Sequence, residues 1–137
     1  MRFPDYDRSS LSITASVMNY FGVKMGYPCL PELDGALKDA APRVVILMVL
    51  DGMGENLLRR RLPENSFFRT HDVCPLSAVF PSTTTAATTS IWSGLSPLEH
   101  GWLGGSLYFK ECGRQIDTFL NRDSHTGEAY PGPSPAE

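Results

Sequence analysis

The sequence predicts an α/β fold with a mainly parallel central sheet flanked by helices, and three observations support that class. The run at residues 44–50 is entirely apolar, and four of its seven residues are β-branched. Because apolar and polar residues do not alternate, the run is typical of a strand buried on both faces, as in a parallel sheet. A second short strand is predicted over residues 76–80, and helical patterns flank both strands.

Two helices are predicted before the first strand. Residues 9–21 carry apolar side chains at near-helical intervals, with Ser9 or Ser10 as the N-cap. Residues 31–40 begin with a proline, which favours the first turn of a helix. We therefore expect residues 1–42 to form an N-terminal helical segment that packs on the sheet.

The first predicted strand ends in a carboxylate. Asp51 is the first polar side chain after residues 44–50. Ligand sites of open α/β sheets lie just outside the carboxyl ends of the strands. Asp51 therefore has two interpretations, a metal ligand or a simple N-cap of the helix that we predict over residues 55–61.

Threonines open the helix that follows the second predicted strand. This helix is predicted over residues 84–93, with Gly94 at its end. Hydroxyls at a helix entrance satisfy free N–H groups, and the backbone there attracts anions. A neutral hydroxyl is a weak nucleophile that needs a base or a coordinated cation. The cluster is therefore either a cap without chemistry or a nucleophile activated by a cation that Asp51 helps to hold.

A β-hairpin is predicted after these motifs. Its strands are residues 106–110 and 114–120, joined by a short turn that contains Gly113. Aromatic residues on such strands pack in a core more often than they stack on a substrate. The hairpin is therefore expected to be scaffold at the rim of the site.

Taken together, these motifs resemble one family. The strand–Asp–Gly element, the Pro-Ser-Thr-Thr helix start and the Glu-His-Gly sequence resemble the alkaline phosphatase superfamily, type I phosphodiesterase and nucleotide pyrophosphatase branch. The resemblance covers roughly residues 44–101 and implies an alkaline-phosphatase-like sandwich. The family pattern Pro-x-x-Thr, with a glycine ten residues further on, fits Pro81, Thr84 and Gly94. Thr83 and Thr85 stay open as alternatives to Thr84.

The resemblance implies a metal-dependent hydrolase of a small-molecule phosphate ester, either a phosphodiesterase or a phosphatase. In the family, the strand-end Asp and the helix-start hydroxyl bind one of two divalent metal ions. By resemblance, Asp51 is a metal ligand, and Thr84 is both a metal ligand and the nucleophile that forms a phosphothreonine. The backbone N–H of Thr85 is expected to bind the substrate. Zinc is the first metal expected, with manganese or magnesium as alternatives, and His100 is expected to be structural.

The sequence departs from the family pattern in two ways. Gly105 stands where the pyrophosphatase branch has an Asn that contacts phosphate. Because glycine has no side-chain donor, the phosphate is expected to be oriented by metals and backbone N–H groups. The family's later Asp and His ligands are missing, since Asp123 and His125 have the wrong spacing. We therefore expect residues 43–122 to be a truncated N-terminal half of the phosphohydrolase domain that only partly ligands one metal. Residues 123–137 are expected to be a flexible tail or linker.

Half a sheet would leave an unpaired edge, and uncovered edges invite association. We expect a missing C-terminal half or a homo-oligomer partner to cover it. The competing interpretation is a truncated non-catalytic domain that acts as a binding or interaction module through this edge.

Composition narrows the partners and the compartment. With 42% hydrophobic and 20% charged residues the chain has an ordinary globular composition, and its net charge of -3 argues against a nucleic-acid partner. No stretch approaches the length that spans a bilayer, and the N-terminus lacks the apolar core of a signal peptide, so we expect no membrane partner. Three widely spaced cysteines without a C-x-x-C pair suggest reduced thiols and a cytoplasmic location.

Overall fold

The fold is known from a computed structural model, which describes residues 3–130 and 132. Helices occupy most of the N-terminal part of the described chain, and a small sheet follows them. In chain order the elements are a 3-10 helix Tyr6–Arg8, α1 Ser10–Tyr20, α2 Pro31–Ala40, α3 Glu55–Arg61, α4 Phe67–Thr70, α5 Thr84–Ser93, α6 Pro97–His100, β1 Ser106–Phe109, β2 Arg114–Asp117 and β3 Arg122–Asp123.

The helices predicted from local signals are confirmed. The helices α2, α3 and α5 have the predicted bounds. Ser9 is the N-cap of α1, and its side chain accepts a hydrogen bond from the N–H of Leu11 at 3.2 Å. Gly94 ends α5 at φ 69°, a left-handed conformation that glycine adopts without a steric penalty. The short helices α4 and α6 were not predicted.

The helix α1 lies at the centre of the helical layer, in contact with α2 and α5. Thr14 Oγ1 donates to the carbonyl oxygen of Ile91 in α5 at 2.9 Å, and Ser16 Oγ accepts from the N–H of Leu30 at 2.8 Å. Both contacts are buried, so the hydroxyls of Thr14 and Ser16 are satisfied inside the core. The buried hydrophobic residues are Leu11, Ala15, Leu30, Leu37, Val79, Ala86, Ile91 and Ile116.

The predicted parallel sheet is wrong. The sheet of the described residues has three antiparallel strands in the order β1-β2-β3. Leu107 of β1 lies opposite Ile116 of β2, which lies opposite Asp123 of β3. The predicted hairpin is confirmed, and β3 extends it by one short strand.

The two predicted parallel strands are absent from the described residues. Residues 44–50 form no helix, strand or turn, and residues 76–80 contribute only a parallel bridge between Ser9 and Ser77. The apolar run has the side chains of a buried strand, but no neighbouring strand of the described chain lies beside it. A strand is stabilised by its neighbours on both edges and faces, so the local pattern alone does not order one.

The segment that we predicted as a tail is described only in part. Up to residue 130 it forms β3 and a hydrogen-bonded turn, in which the N–H of Gly127 donates to the Asp123 carbonyl oxygen at 2.9 Å. Residue 131 and residues 133–137 lie outside the described residues. Among the helices of the described chain, none is long and apolar enough to cross a membrane.

Candidate functional site

Asp51 and Thr84 lie together at the rim of a cleft. Thr84 Oγ1 donates a hydrogen bond to Asp51 Oδ2 at 3.3 Å, although the two residues are 33 positions apart in the chain. Both residues are exposed, so a ligand can reach both oxygen atoms from solvent. The cleft has a volume of ≈ 350 Å³. It is lined by Val49, Leu50, Asp51, Gly52, Met53, Gly54, Thr84, Ala87, Thr88 and Ile91.

Asp51 is held in a turn and does not cap the next helix. Gly52 follows it at φ 69°, and the N–H of Met53 donates to the Leu50 carbonyl oxygen at 3.4 Å. The N-cap of α3 is Gly54, and no side chain caps that helix. The interpretation of Asp51 as a helix cap is therefore wrong. Within the described chain, the Asp51 carboxylate forms a hydrogen bond only with the Thr84 hydroxyl.

The three threonines at the start of α5 have three different environments. Thr83 is the N-cap, and its Oγ1 accepts from the N–H of Ala86 at 3.3 Å. Thr84, the first helical residue, directs its hydroxyl to Asp51. Thr85 is 2% exposed, and its hydroxyl contacts the Thr118 hydroxyl at 3.3 Å. Only Thr84 therefore combines an exposed hydroxyl with a neighbouring carboxylate.

The first turn of α5 also offers backbone donors. Among the described residues, no group accepts a hydrogen bond from the N–H of Thr84 or of Thr85. Free N–H groups at a helix N-terminus, together with the helix dipole, favour a bound anion. The side chain of Thr85 is buried, so any contact of this residue with a substrate is restricted to its backbone.

A buried threonine in the sheet region supports this turn of α5. The Thr118 hydroxyl donates to the Gly104 carbonyl oxygen at 2.9 Å, which leaves its lone pairs to accept from Thr85. Its backbone N–H donates to the Gly105 carbonyl oxygen at 3.0 Å. Thr118 was missed from the sequence, because a single threonine after a strand carries no signal of a distant helix as its partner.

The donor set of the cleft fits one divalent cation in part. A carboxylate oxygen and a hydroxyl oxygen are hard ligands that suit magnesium and manganese, and zinc also accepts carboxylate oxygen. The described residues contain no group of three or more His, Cys, Asp or Glu side chains that could hold a metal ion. Asp51 and Thr84 therefore present two adjacent oxygen atoms in the cleft, and the described residues place no third such side chain beside them.

Both ring nitrogens of His100 form hydrogen bonds away from the cleft. Its Nδ1 accepts from the backbone N–H of Trp102 at 3.0 Å, so in the neutral ring the proton is on Nε2. The Nε2–H then donates to Ser90 Oγ at 2.9 Å. Burial lowers the pKa of His100, which favours this neutral form. Because Nε2 already carries the proton, Ser90 and His100 are not a nucleophile and its general base.

Two charged residues outside the cleft, Asp123 and Arg59, make structural contacts. Asp123 Oδ1 accepts from the N–H groups of Thr126 and His125 at 2.9 and 2.8 Å, and these bonds lower the pKa of Asp123. Arg59 in α3 forms ion pairs with Glu55 at 2.8 Å and with Asp72 at 3.4 Å. Neither group extends the cleft.

The comparison with known families covers this site. A family model described as type I phosphodiesterase / nucleotide pyrophosphatase matches residues 45–132. The matched region includes the turn of Asp51, the whole of α5 and the antiparallel sheet. No curated protein and no solved structure matches the chain.

Proposed function

Because the chain belongs to the type I phosphodiesterase/nucleotide pyrophosphatase family, we propose that Asp51 and Thr84 form part of the active site of a metal-dependent phosphoric ester hydrolase. The family acts on small phosphate esters, and the chain's own substrate is proposed to be of that class.

One observation carries the proposal. The distance of 3.3 Å between Thr84 Oγ1 and Asp51 Oδ2 puts an exposed threonine hydroxyl next to a carboxylate in an open cleft. A hydroxyl of ordinary acidity reacts slowly near neutral pH unless a base or a cation activates it. The contact supports a shared role for the two side chains. If Asp51 and Thr84 had unrelated roles, their side chains would not need to lie next to each other.

The proposed metal is held by the Asp51 carboxylate and the Thr84 oxygen. Zinc is the first candidate, and manganese and magnesium are alternatives. When bound, a divalent cation stabilises the ionised form of a coordinated hydroxyl and polarises a phosphoryl oxygen. The remaining ligands, and any second metal of the family pattern, are proposed to come from polypeptide other than the described residues.

The proposed reaction uses groups of this chain in defined roles. The Thr84 hydroxyl loses its proton to water, and its Oγ1 attacks phosphorus. The bond from phosphorus to the leaving oxygen breaks, that oxygen takes a proton from water, and the phosphoryl group remains on Thr84 as a phosphothreonine. Water then attacks this ester, which releases phosphate or a phosphomonoester and restores the hydroxyl. The N–H groups of Thr84 and Thr85 orient the phosphoryl oxygens at the helix N-terminus.

A second function is favoured by a different observation. The described residues hold no complete metal-binding cluster, and the apolar residues 44–50 are mostly exposed. A non-catalytic domain that binds a partner through this segment is therefore the alternative. For either function we propose a cytoplasmic location, since Cys29, Cys74 and Cys112 are free thiols.

The test is hydrolysis of a chromogenic phosphate ester by the purified chain with added zinc, manganese or magnesium. We expect slow, metal-dependent turnover, because the ligand set is partial. Thr84→Ala should reduce the rate by at least about 100-fold, since the nucleophile is lost. Thr88→Ala is the matched control, because Thr88 lines the same cleft but its hydroxyl donates to the Thr84 carbonyl oxygen at 2.7 Å.

The result decides between the two functions. Turnover that Thr84→Ala removes and Thr88→Ala retains supports the hydrolase. A folded sample that neither binds metal nor turns over the ester supports the binding module. Turnover that is equal in wild type and Thr84→Ala rejects Thr84 as the nucleophile.

A further inference from the structure

The threonines on either side of Thr84 are attached to one short loop, residues 103–105, here called the glycine loop. Thr83 Oγ1 donates to the Leu103 carbonyl oxygen at 3.1 Å. This bond is exposed, so water competes for both of its partners. The strength of the attachment therefore depends on its other end, at Thr85.

The attachment at Thr85 is buried and runs in one direction. The Thr118 hydroxyl has a single proton, which it donates to the Gly104 carbonyl oxygen at 2.9 Å. In the contact of 3.3 Å between the two threonines, the Thr85 hydroxyl is therefore the donor and Thr118 Oγ1 is the acceptor. Thr85 and Thr118 are 2% and 0% exposed, so water cannot substitute for either partner. A buried chain of two hydrogen bonds thus connects α5 to the glycine loop.

Thr118 is itself held by the hairpin. It directly follows β2, and its N–H donates to the Gly105 carbonyl oxygen at 3.0 Å. Ile116, two residues earlier, is fully buried and lies opposite Leu107 of β1. The side chain and the backbone of Thr118 therefore bind two successive carbonyl groups of the glycine loop from a packed position.

Thr84 differs from a later threonine of α5 in what its hydroxyl can bind. Within a helix, a threonine hydroxyl can donate to a carbonyl oxygen of the preceding turn, as Thr88 Oγ1 does to that of Thr84 at 2.7 Å. Thr84 is the first residue of α5, so Phe80 and Pro81 in the preceding positions lie outside the helix. The Thr84 hydroxyl therefore donates to Asp51 Oδ2 instead.

The direction of the Thr84 side chain depends on the backbone at its two neighbours. A β-branched side chain has few staggered χ1 positions, and backbone φ and ψ decide which of them is allowed. Attachment of Thr83 and Thr85 to the glycine loop fixes the backbone on both sides of Thr84. The exposed contact of 3.3 Å with Asp51 would not hold this direction alone, because water competes for both groups.

We propose that Thr118 is a positioning residue for Thr84. Through Thr85 it holds the first turn of α5 against the glycine loop, in the backbone geometry that directs Thr84 Oγ1 toward Asp51. The catalytic part of this inference rests on the proposed function, in which Thr84 Oγ1 is the nucleophile. A small misplacement of a reacting atom lowers the rate of a reaction steeply. The direction of the side chain itself can be measured without metal or substrate.

The first experiment measures the χ1 rotamer of Thr84 by NMR in the metal-free chain. The readout is the set of three-bond couplings from the backbone nitrogen and carbonyl carbon to the Thr84 methyl carbon. We expect a single rotamer in the wild type. Thr118→Val removes the hydroxyl and keeps the shape of the side chain, so the couplings should shift to values averaged over several rotamers. Thr118→Ser keeps the hydroxyl and should restore the single rotamer.

Thr14→Val is the matched control. The Thr14 hydroxyl is also buried and also donates to a carbonyl oxygen at 2.9 Å, that of Ile91 near the other end of α5. The substitution therefore removes a hydrogen bond of the same length from the same helix, but it leaves the first turn of α5 attached. Thr14→Val should destabilise the fold, as Thr118→Val does, and keep the wild-type rotamer of Thr84.

Thr85→Val breaks the same attachment from the helix side and replaces Thr118→Val if that variant does not fold. It leaves the bond from Thr118 to the Gly104 carbonyl oxygen in place. The couplings of Thr84 should be averaged in this variant too. Several Thr84 rotamers in the wild type, a single rotamer retained in Thr118→Val or Thr85→Val, or equal averaging in Thr14→Val overturns the proposal.

Turnover of the chromogenic ester with added metal tests the catalytic consequence, at a temperature where every variant is folded. Thr118→Val should lower kcat on the order of tenfold and leave KM nearly unchanged, because a misdirected nucleophile weakens the reaction step and not the binding of substrate. Thr118→Ser should recover the wild-type kcat, and Thr14→Val should retain it. A wild-type kcat in Thr118→Val, or a loss that Thr14→Val shares, overturns the catalytic role.

The two readouts separate this inference from the proposed function. The rotamer of Thr84 is measured without turnover, so failure of the positioning role and failure of the proposed hydrolase can be told apart.

Discussion

At the scale of single residues, neighbouring hydroxyls acquire different chemistry from their positions on one helix turn. Thr83 at the N-cap binds a backbone N–H, Thr84 faces a carboxylate in solvent, and Thr85 is buried against Thr118. Successive side chains on a helix point about 100° apart, which separates these environments within three positions. The reactivity proposed for Thr84 follows from the direction of its side chain, towards Asp51, because Thr83 and Thr85 are the same residue type in other environments.

His100 gives a prediction at the same scale. Burial lowers its pKa in the folded chain, while the unfolded chain has an ordinary value of about 6.5. Between these two values the unfolded state binds more protons, so the free energy of unfolding should fall as the pH falls below about 6.5. Above that pH the stability contribution of the neutral ring is fully present.

The measurement is urea unfolding of the wild type from pH 5 to 7.5. In this range Glu99, whose pKa is lowered to about 2 mainly by its hydrogen bond from Tyr27, stays ionised. His100→Gln should flatten the pH dependence, whereas His125→Gln, a change at an exposed histidine, should leave it intact. A wild-type stability that rises on acidification would contradict the neutral assignment of His100.

Much of the residue-level site could be predicted, because the signals are local. The position of Asp51 after an apolar run is a local signal, whereas the choice of Thr84 among three threonines depends on the resemblance to the family pattern; the structure brings the two side chains together. Thr118 could not be predicted, since its partners Thr85 and Gly104 are distant in the chain. The roles of Asp51, Thr84 and Thr85 in binding and reaction remain predictions.

At the scale of elements, helices and strands differ in how far they follow from the sequence. The bounds of α5 depend on Thr83 and Gly94, which satisfy the helix ends through local hydrogen bonds and a left-handed turn. The predicted strand at residues 44–50 depends on neighbours that the described chain does not place beside it. Caps are encoded within a few residues, whereas strand pairing is encoded at long range.

The attachment of α5 to the sheet region gives a second prediction. Thr118→Val keeps the shape of the side chain but leaves the Gly104 carbonyl oxygen and the Thr85 hydroxyl without their buried partner. We expect a loss of about 1–3 kcal/mol in the free energy of unfolding. Thr85→Val should also destabilise the fold, because it removes the other end of the same contact.

A double-mutant cycle in urea checks this coupling. If the two hydroxyls act through each other, Thr85→Val/Thr118→Val should cost less than the sum of the single changes. Thr88→Val is a control on the same helix, since the Thr88 hydroxyl binds only carbonyl oxygens of α5. Strict additivity of the two single changes would contradict the hydrogen bond between Thr85 and Thr118.

At the scale of the whole molecule, the described chain combines a small core with extensive exposed apolar surface. The buried hydrophobic residues are concentrated in the helical layer, with Ile116 in the sheet. Val44, Ile46, Met48, Trp92 and Leu98 are largely exposed. Within the described residues, the apolar run therefore has the composition of a core strand without the cover of one.

The same incompleteness governs the proposed metal site. Two oxygen donors from Asp51 and Thr84 should hold a divalent cation weakly, because a closed zinc site uses three or four protein ligands. We therefore expect metal binding to require a high metal concentration and to disappear in Asp51→Asn. In the proposed site both side chains bind one cation.

The most direct test is a crystal structure of the chain with zinc, using the anomalous signal of the metal to locate it. The account predicts a zinc ion at about 2.0–2.2 Å from a carboxylate oxygen of Asp51. The same ion should contact Thr84 Oγ1, and it should be absent from crystals of Asp51→Asn. Zinc bound elsewhere with the cleft empty, or Asp51 and Thr84 side chains directed into separate environments, would contradict it.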